Sequence, residues 1–487
     1  MMKRVFGFLI VALMTMSMTM PRVSAAVSLP AIFGDNMVVQ RDLAAPVWGW
    51  ADAGEKVTVT IDKQEKTAVA DENGKWMLKL DPMPAGGPFT MVVSGKEKEF
   101  VFKNVMLGDV WVCSGQSNME WWVHSSQNPE EEIKNANYPN IRLITVPKAS
   151  KPAPENNFVG SWVPCSPETI PNFSAVGYFF GRTLHQITEV TIGLINDSWG
   201  GSSCETWIPH DVVSQYEKYE PIIIRRENHL KEHPEAGDNQ QAGYLFDGMI
   251  NPIVPFGIKG AIWYQGETNA SRAYQYRTLF PLMIQTWREV WGQGDFPFYF
   301  VQLANFMERK EQPTESAWAE LREAQSMTLN LRNTGQAVII DIGEEKDIHP
   351  KNKQDVGLRL ALWALNKDYG FNDLVCNDCV YYGPMFQSMK IVDGQAILTF
   401  NHVGTGLVAR GTILKGFAIA GADRKFVWAD AEIKDGKVVV SAKEVPNPVA
   451  VRYAWADNPE CNLYNREGLP ASPFRTDMWP GLTINNH

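Results

Sequence analysis

Ser117 is the residue whose type and setting first point to chemistry. An apolar run over residues 105–112 is followed by the small and polar sequence Cys-Ser-Gly-Gln at 113–116, and Ser117 comes next. A serine in such a place can simply cap a helix. A serine at the end of a buried strand can also be a nucleophile, provided that a base lies beside it.

Two later stretches also place polar, glycine-containing sequence directly after an apolar strand. Gly200 and Gly201 follow one such strand, and Gln265 and Asn269 follow another. Because the carboxyl ends of parallel strands meet at one edge of a sheet, these residues are expected to converge on Ser117. Adjacent glycines at a strand end also let backbone N–H groups approach a ligand closely.

His349 is the best candidate for the base. It stands between a strand-like run ending at Ile342 and a helical pattern, and Pro350 biases it away from helical geometry. Asp347, two residues earlier, could accept a hydrogen bond from the imidazole, because side chains at this spacing share one side of an extended segment. His210, in a charged insertion, is the alternative base.

This set of side chains suits acyl transfer through a serine. A neutral imidazole removes the hydroxyl proton as the oxygen attacks an acyl carbon. The oxyanion then needs fixed donors, and loss of one costs roughly 2.7–4 kcal/mol. The predicted donors of this oxyanion hole are the backbone N–H groups of Ser117 and of the Gly200-Gly201 pair, with an amide from Gln265 or Asn269. The G-x-S-x-G motif of α/β-hydrolases is absent here, because a methionine follows at 119.

The elements that must position these residues alternate between strand and helix. Strand-like runs lie near 105–112, 190–195, 258–263, 298–303 and 337–342, with helical patterns near 174–187, 274–291, 316–331 and 353–366. Such alternation predicts an α/β fold whose parallel sheet is covered on both faces. About five strands is typical of a flavodoxin-like, doubly wound domain, which binds ligands at the carboxyl ends of its strands.

The sequence on either side of this region favours β-structure. Short alternating runs separated by Gly-rich turns predict an N-terminal β-sandwich and a C-terminal β-rich module. The predicted organisation is a signal peptide over 1–25, the N-terminal β-sandwich domain over 26–104, the α/β domain over 105–379 and the C-terminal β-rich module over 380–487.

The N-terminus has the pattern of a secretory signal peptide. Lys3 and Arg4 precede an apolar stretch that ends in small residues around Ala25. A membrane anchor is the alternative interpretation of the same stretch. We expect an exported protein, periplasmic or extracellular, with no membrane association after cleavage.

Charge and cysteine content exclude several partners and cofactors. A formal net charge of -10 argues against nucleic acid as a partner. The Cys376–Cys379 pair lacks the second pair or nearby histidine that a zinc site needs, so we expect no metal and no other cofactor. The chain has 17 tryptophans, more than its core needs, and a few of them could be platforms for sugar rings.

Four ordered blocks resemble the signature blocks of the sialate O-acetylesterase family, within the SGNH hydrolase superfamily. They are GDVWVCSGQSNMEW, INDSWGGSSCETW, GAIWYQGETNA and DIHPKNKQDVGLRLA. The likeness extends from about Leu29 to the C-terminus. It implies an SGNH hydrolase domain with Ser117 as nucleophile, His349 as base, the Gly200-Gly201 pair as second oxyanion donor and the QGE segment as the third.

The resemblance implies a serine esterase that removes O-acetyl groups from carbohydrate through an acyl-enzyme intermediate. The sugar could be a sialic acid or a plant-type polysaccharide or oligosaccharide. The alternatives are a catalytically inactive carbohydrate-binding protein, and a lipase or thioesterase of the same superfamily.

Two departures from the superfamily pattern leave roles open. Many SGNH enzymes place the acid three residues before the histidine, where this chain has Lys346, with Asp347 one position later. A Ser–His dyad, with a backbone carbonyl orienting the ring, is therefore the alternative to a triad. The usual G-x-N-D block is also replaced by Gln-Gly-Glu-Thr-Asn, so Gln265 and Asn269 both remain candidates for the third oxyanion donor.

Overall fold

The structure is a computed structural model that describes residues 26–234, 239–371 and 380–486. The predicted signal peptide over 1–25 and the Cys376–Cys379 pair lie outside the described residues. Within the described ranges, every helix is too short or too polar to cross a bilayer.

The N-terminal part consists of β-strands that lead into one long strand. The strands are β1 (Val38–Gln40), β2 (Pro46–Trp50), β3 (Lys56–Ile61), β4 (Gln64–Val69), β5 (Lys75–Lys79), β6 (Gly86–Ser94) and β7 (Glu99–Gly115). β2 pairs with β5, β3 lies between β4 and β6, and β6 pairs with the first half of β7. The predicted domain boundary at 104/105 therefore falls inside β7, which runs unbroken into the α/β region.

The α/β region alternates strands and helices as the sequence predicts. Its elements are α1 (Ser117–Glu120), α2 (Pro129–Lys134), β8 (Tyr138–Thr145), β9 (Val163–Cys165), α3 (Ala175–Thr188), β10 (Ile192–Ser198), α4 (His210–Ser214), α5 (Glu220–Glu232), β11 (Gly260–Tyr264), α6 (Ala273–Trp291), β12 (Phe298–Val301), α7 (Ala317–Met327), β13 (Thr334–Ala337) and α8 (Lys353–Asp368). Single 3-10 turns lie at Val123–Ser125, Cys204–Trp207, Glu217–Tyr219, Asn251–Ile253, Glu267–Arg272 and Thr328–Asn330, with a π turn at Phe246–Ile250.

The central sheet places the end of β7 in the middle of its carboxyl edge. The strand order is β13-β12-β11-β7-β10-β8-β9, and all neighbours are parallel except β9, which is antiparallel to β8. Ser117 follows β7, and the glycine pair and the QGE segment follow its two neighbours, β10 and β11. The convergence expected from the sequence is therefore present.

Helices cover both faces of this sheet. On one face α3 packs on α8 so closely that a Cβ on Gly357 would lie 2.6 Å from Cβ of Phe179. Cys113 faces α3, since a Cβ on Gly177 would lie 3.0 Å from its Sγ. Trp263 of β11 points to the opposite face, where α6 and α7 pack. The site is thus supported by rigid layers.

The C-terminal part is a β-rich module of antiparallel sheets. Its strands are β14 (Met385–Val392), β15 (Gln395–Asn401), β16 (Leu407–Ala409), β17 (Phe417–Ala420), β18 (Phe426–Trp428), β19 (Asp430–Lys434), β20 (Lys437–Ser441), β21 (Ala450–Tyr453), β22 (Leu463–Asn465) and β23 (Phe474–Arg475). They form the sheets β14-β15-β20-β19 and β18-β17-β21-β23 and the pair β16-β22.

The structure confirms a mixed α/β fold with β-rich parts. It differs from the expectation in three strands of the α/β region: β13 is displaced, and β8 and the short β9 were not predicted. The last parallel strand, β13, lies at Thr334–Ala337 rather than at 337–342. Its sequence, TGQA, has little strand propensity, and the strand was therefore predicted at the more apolar residues that follow. β8 was not predicted at all, because Pro139, Asn140 and Arg142 interrupt its apolar pattern.

Candidate active site

Ser117 lies where the central strand ends and a short helix begins. β7 stops at Gly115, whose φ of 135° favours glycine. A Cβ there would lie 2.2 Å from the carbonyl oxygen of Tyr264 on β11. Ser117 then opens α1, and its backbone N–H, as the first of the helix, has no acceptor within the helix. Its Oγ lies 2.8 Å from Nε2 of His349.

His349 reaches Ser117 from the loop between β13 and α8. Oδ1 of Asp347 accepts a hydrogen bond from the backbone N–H of His349 at 2.9 Å, and it lies 3.5 Å from the imidazole Nδ1. The second distance exceeds that of a usual N–H···O hydrogen bond, about 2.7–3.2 Å. Asp347 therefore fixes the backbone of the loop and faces the imidazole more loosely.

The indole of Trp121 stacks on the imidazole of His349. The ring centroids are 4.8 Å apart and the planes are inclined by 13°. Nε1 of Trp121 donates to the carbonyl oxygen of Ser125 at 2.9 Å, which holds the indole in place. This stack shields one face of the imidazole from water.

The surroundings of His349 favour its neutral form. Partial burial lowers the pKa of the imidazole below its usual value of 6.5, and the nearby Lys353 ammonium lowers it further, whereas Asp347 raises it. Burial and Lys353 together outweigh Asp347, so the pKa of His349 is lowered overall. A neutral imidazole is what a general base requires.

The glycine turn after β10 packs directly against the nucleophile. A Cβ on Gly200 would lie 3.2 Å from Cβ of Ser117. The N–H of Gly200 donates to Oε2 of Glu120 at 2.7 Å, and its carbonyl accepts from Nδ2 of Asn239 at 3.0 Å. In a trans peptide the next N–H, that of Gly201, points away from that carbonyl and so away from Asn239. The N–H of Gly200 is thus occupied in this structure.

The two candidate amide donors belong to a buried polar network beneath the turn. Nε2 of Gln265 donates to the carbonyl of Ser202 at 3.3 Å and to Oδ1 of Asn269 at 2.7 Å, so both of its hydrogens are used inside the protein. Nδ2 of Asn269 donates to Oε2 of Glu205 at 2.9 Å. Gln265 is 0% exposed and Asn269 is 1% exposed.

Asn118 links the nucleophile segment to the base segment. Its Nδ2 donates to the carbonyl of Ile348 at 3.0 Å and to Oε1 of Glu267 at 2.7 Å. Its Oδ1 accepts from Nζ of Lys353 at 2.5 Å. One side chain therefore connects the residue after Ser117 with the residue before His349.

The alternative base and the cysteines lie apart from this arrangement. His210 begins α4 as an exposed residue, and it is His349 that contacts Ser117. Cys113, Cys165 and Cys204 are free and buried. Over the described parts of the chain, His, Cys, Asp and Glu side chains form no group of three or more that could hold a metal ion.

Several residues that contact the site were not found from the sequence. Glu120 and Trp121 adjoin the serine motif, and Lys353 follows His349 by four residues, so their proximity in sequence was a usable signal. The direction of their side chains depends on how the segments pack, which the sequence does not give.

Comparison with known proteins assigns the class and then the family. A sequence profile described as carbohydrate esterase, sialic acid-specific acetylesterase, matches residues 107–365, which places the chain in the class of ester hydrolases. The chain belongs to this family. It is therefore an esterase enzyme with O-acetyl esterase function.

Individual relatives agree with this assignment over nearly the whole chain. Sialate O-acetylesterase of Homo sapiens is 29% identical over 502 residues, which cover 93% of each chain. The Mus musculus protein of the same name is 29% identical and covers 91% of this chain and 93% of its own. A solved carbohydrate acetylesterase from Xanthomonas citri is 41% identical, with a TM-score of 0.85, and covers 93% of this chain and all of its own.

Proposed function

We propose that this protein is a serine esterase that removes O-acetyl groups from carbohydrate through an acetyl-enzyme intermediate. The 2.8 Å contact between Oγ of Ser117 and Nε2 of His349 carries the proposal. It places a hydroxyl and a base within proton-transfer distance at the carboxyl edge of the sheet. The doubly wound, flavodoxin-like order of β10-β7-β11-β12-β13 supports the same placement.

The proposed reaction has two halves. Nε2 of His349 takes the proton as Oγ of Ser117 attacks the acetyl carbon, and the imidazolium then protonates the departing sugar oxygen. Water attacks the acetyl-serine in the second half and loses a proton to His349. The imidazolium returns that proton to Oγ of Ser117 as acetate leaves. Nδ1 must carry the hydrogen throughout, and the carboxylate of Asp347, 3.5 Å away, favours that tautomer and the transient imidazolium.

We assign the oxyanion to the backbone N–H groups of Ser117 and Gly201. The N–H of Ser117 is the first of a helix. The N–H of Gly201 points away from Asn239, whose side chain donates to the carbonyl of Gly200. Gly200 and Gln265 are less suitable, because their N–H groups already have acceptors within the protein. Asn269 would have to give up or share its bond to Glu205 to take part.

Exposed aromatic surface beside the nucleophile favours a carbohydrate substrate. Trp122, 45% exposed, directly follows the indole that stacks on His349. Half-buried Trp199 lies immediately before the glycine turn. Indole faces are suited to the apolar faces of sugar rings.

The experiment is acetate release from a panel of O-acetylated substrates. The panel includes an O-acetylated sialic acid, acetylated xylan and xyloglucan oligosaccharides, and the acetate and octanoate esters of 4-nitrophenol. Release from at least one sugar, with the acetyl ester preferred over the octanoate, is expected. Binding without turnover would indicate an inactive carbohydrate-binding protein, and preference for octanoate would indicate a lipase or thioesterase.

A further inference from the structure

Lys353 is a fully buried lysine beside the proposed catalytic pair. It is the first residue of α8 and is 0% exposed. Its ammonium lies 5.8 Å from the ring centroid of Trp121 and 5.4 Å from that of Tyr264. The acceptor of its hydrogen bond is an amide oxygen, Oδ1 of Asn118, rather than a carboxylate. A buried ammonium held in this way is costly to keep, which calls for a functional reason.

The amide that Lys353 holds is the one that joins the two reacting segments. Asn118 follows the proposed nucleophile, and its Nδ2 donates to the carbonyl of Ile348, which precedes the proposed base. The amide has only one orientation that satisfies these bonds: oxygen towards the ammonium and nitrogen towards Ile348 and Glu267. Lys353 therefore fixes the direction of the Asn118 amide.

We propose that Lys353 is a positioning residue for the esterase reaction, which holds the Asn118 amide between the nucleophile and base segments and keeps the neighbouring imidazole unprotonated through its charge. This inference rests on the proposed function. It adds to that function a fixed buried cation that acts on His349 without contacting the substrate.

The charges around His349 come from four parts of the structure. They are Asp347 and Glu344 of its own loop, Lys353 of α8, Glu267 of the 3-10 turn after β11, and Glu120 of α1, which pairs with Lys148 at 2.6 Å. Among these groups, Asp347 raises the pKa of His349 and Lys353 lowers it.

The sign of the effect follows from these charges. Burial lowers the pKa of Lys353 to about 7, whereas the pKa of His349 is lowered below 6.5, first by burial and then by Lys353. The Lys353 charge is thus one of the causes that lower the pKa of His349. A like charge disfavours imidazolium, so removing it must raise the pKa of His349.

The test compares Lys353→Met with Lys351→Met in the full chain. Lys351 is exposed and lies two residues after His349, so the control removes an equal charge that water screens. The readout is the pH dependence of kcat/KM for 4-nitrophenyl acetate. In Lys353→Met the acid limb should move to higher pH by at least about 0.5 unit.

The separate values of kcat and KM test the positioning role of Lys353. In Lys353→Met the plateau kcat should fall about tenfold or more, because the Asn118 bridge loses its anchor. KM should change less than about threefold, since the lysine contacts no substrate. Lys351→Met should match the wild type in the pH of the acid limb, in kcat and in KM.

Each outcome decides the inference. A folded Lys353→Met protein whose acid limb stays at the wild-type pH overturns it, even if kcat falls. If that variant does not fold, Lys353→Met with Glu267→Gln removes both buried charges and is measured instead. If neither folds, an acid limb of the wild-type profile at or above the ordinary imidazole value of about 6.5 overturns the inference. Activity retained by Ser117→Ala would instead refute the proposed function.

Discussion

At the scale of single residues, Asp347 holds its histidine in an unusual way. Its Oδ1 accepts from the backbone N–H of His349 and faces Nδ1 from 3.5 Å. Its side chain is also 42% exposed, so water weakens its charge. We interpret Asp347 as a weaker orienting acid than one that is buried and directly hydrogen-bonded to the imidazole.

Asp347→Asn tests this interpretation. An asparagine can keep its oxygen on the backbone N–H, so the imidazole tautomer is retained and only the charge is lost. We expect kcat to fall about ten- to a hundredfold, less than the roughly 10⁴ seen where the tautomer is reversed. Because Asp347 raises the pKa of His349, the acid limb of kcat/KM should move to lower pH. A loss below about tenfold, with His349→Ala inactive, would favour a dyad.

At the scale of elements, the turn after β10 must approach α1 without a side chain. A Cβ on Gly200 would lie 3.2 Å from Cβ of Ser117 and 3.3 Å from Oε2 of Glu120. Both distances are tighter than ordinary van der Waals contact, so the nucleophile or the carboxylate that holds the turn would have to move.

Gly200→Ala should therefore lower kcat about tenfold, since displacement of reacting groups by fractions of an ångström is costly. Gly34→Ala is the matched control, because a Cβ there would have no atom within 4 Å. Steady-state kinetics on 4-nitrophenyl acetate separate the two. Equal kcat for Gly200→Ala and Gly34→Ala would show that the turn is not held against the nucleophile.

The elements also show how much of the fold and of the site could be predicted from the sequence. The helices α3, α6 and α8 follow apolar periodicity and begin and end within two residues of prediction. The strand ends that carry Ser117 and the glycine pair were also predictable, because topology alone brings them together. The Lys353–Asn118 bridge was not, since it joins segments 235 residues apart. β13 was misplaced because tertiary pairing overrides its weak strand propensity.

At the scale of the whole molecule, the C-terminal module is joined to the α/β region by a buried arginine. Arg322 of α7 donates to the carbonyls of Leu303 and Ala304 on its own side, and to those of Ala456 and Asp457 in the module. Burial lowers the pKa of this guanidinium to about 9. One side chain thus joins two backbone carbonyls of the α/β region to two of the C-terminal module.

Arg322→Met should destabilise the protein by about 3 kcal/mol or more, because each buried carbonyl left without a donor costs about 1–3 kcal/mol. Thermal unfolding of the variant is compared with that of Arg332→Met, which changes an exposed arginine nearby. Equal midpoints for the two variants would show that Arg322 does not support the interface.

Treatment with a chelator tests whether the active enzyme needs a metal ion. The proposed steps use a serine and an imidazole, and the described residues provide no cluster of metal ligands. Prolonged treatment with EDTA should therefore leave kcat/KM within about twofold of the untreated value. Loss of activity that a divalent ion restores would require a different mechanism.

The most direct test of the central claim is acetate release by Ser117→Ala. Without the nucleophile only binding and oxyanion contacts remain, so kcat should fall at least about a thousandfold. Thermal unfolding of the variant should match that of the wild type, because the hydroxyl is partly exposed and its contact is with His349. A folded Ser117→Ala protein that keeps more than about a hundredth of the wild-type kcat would contradict the account.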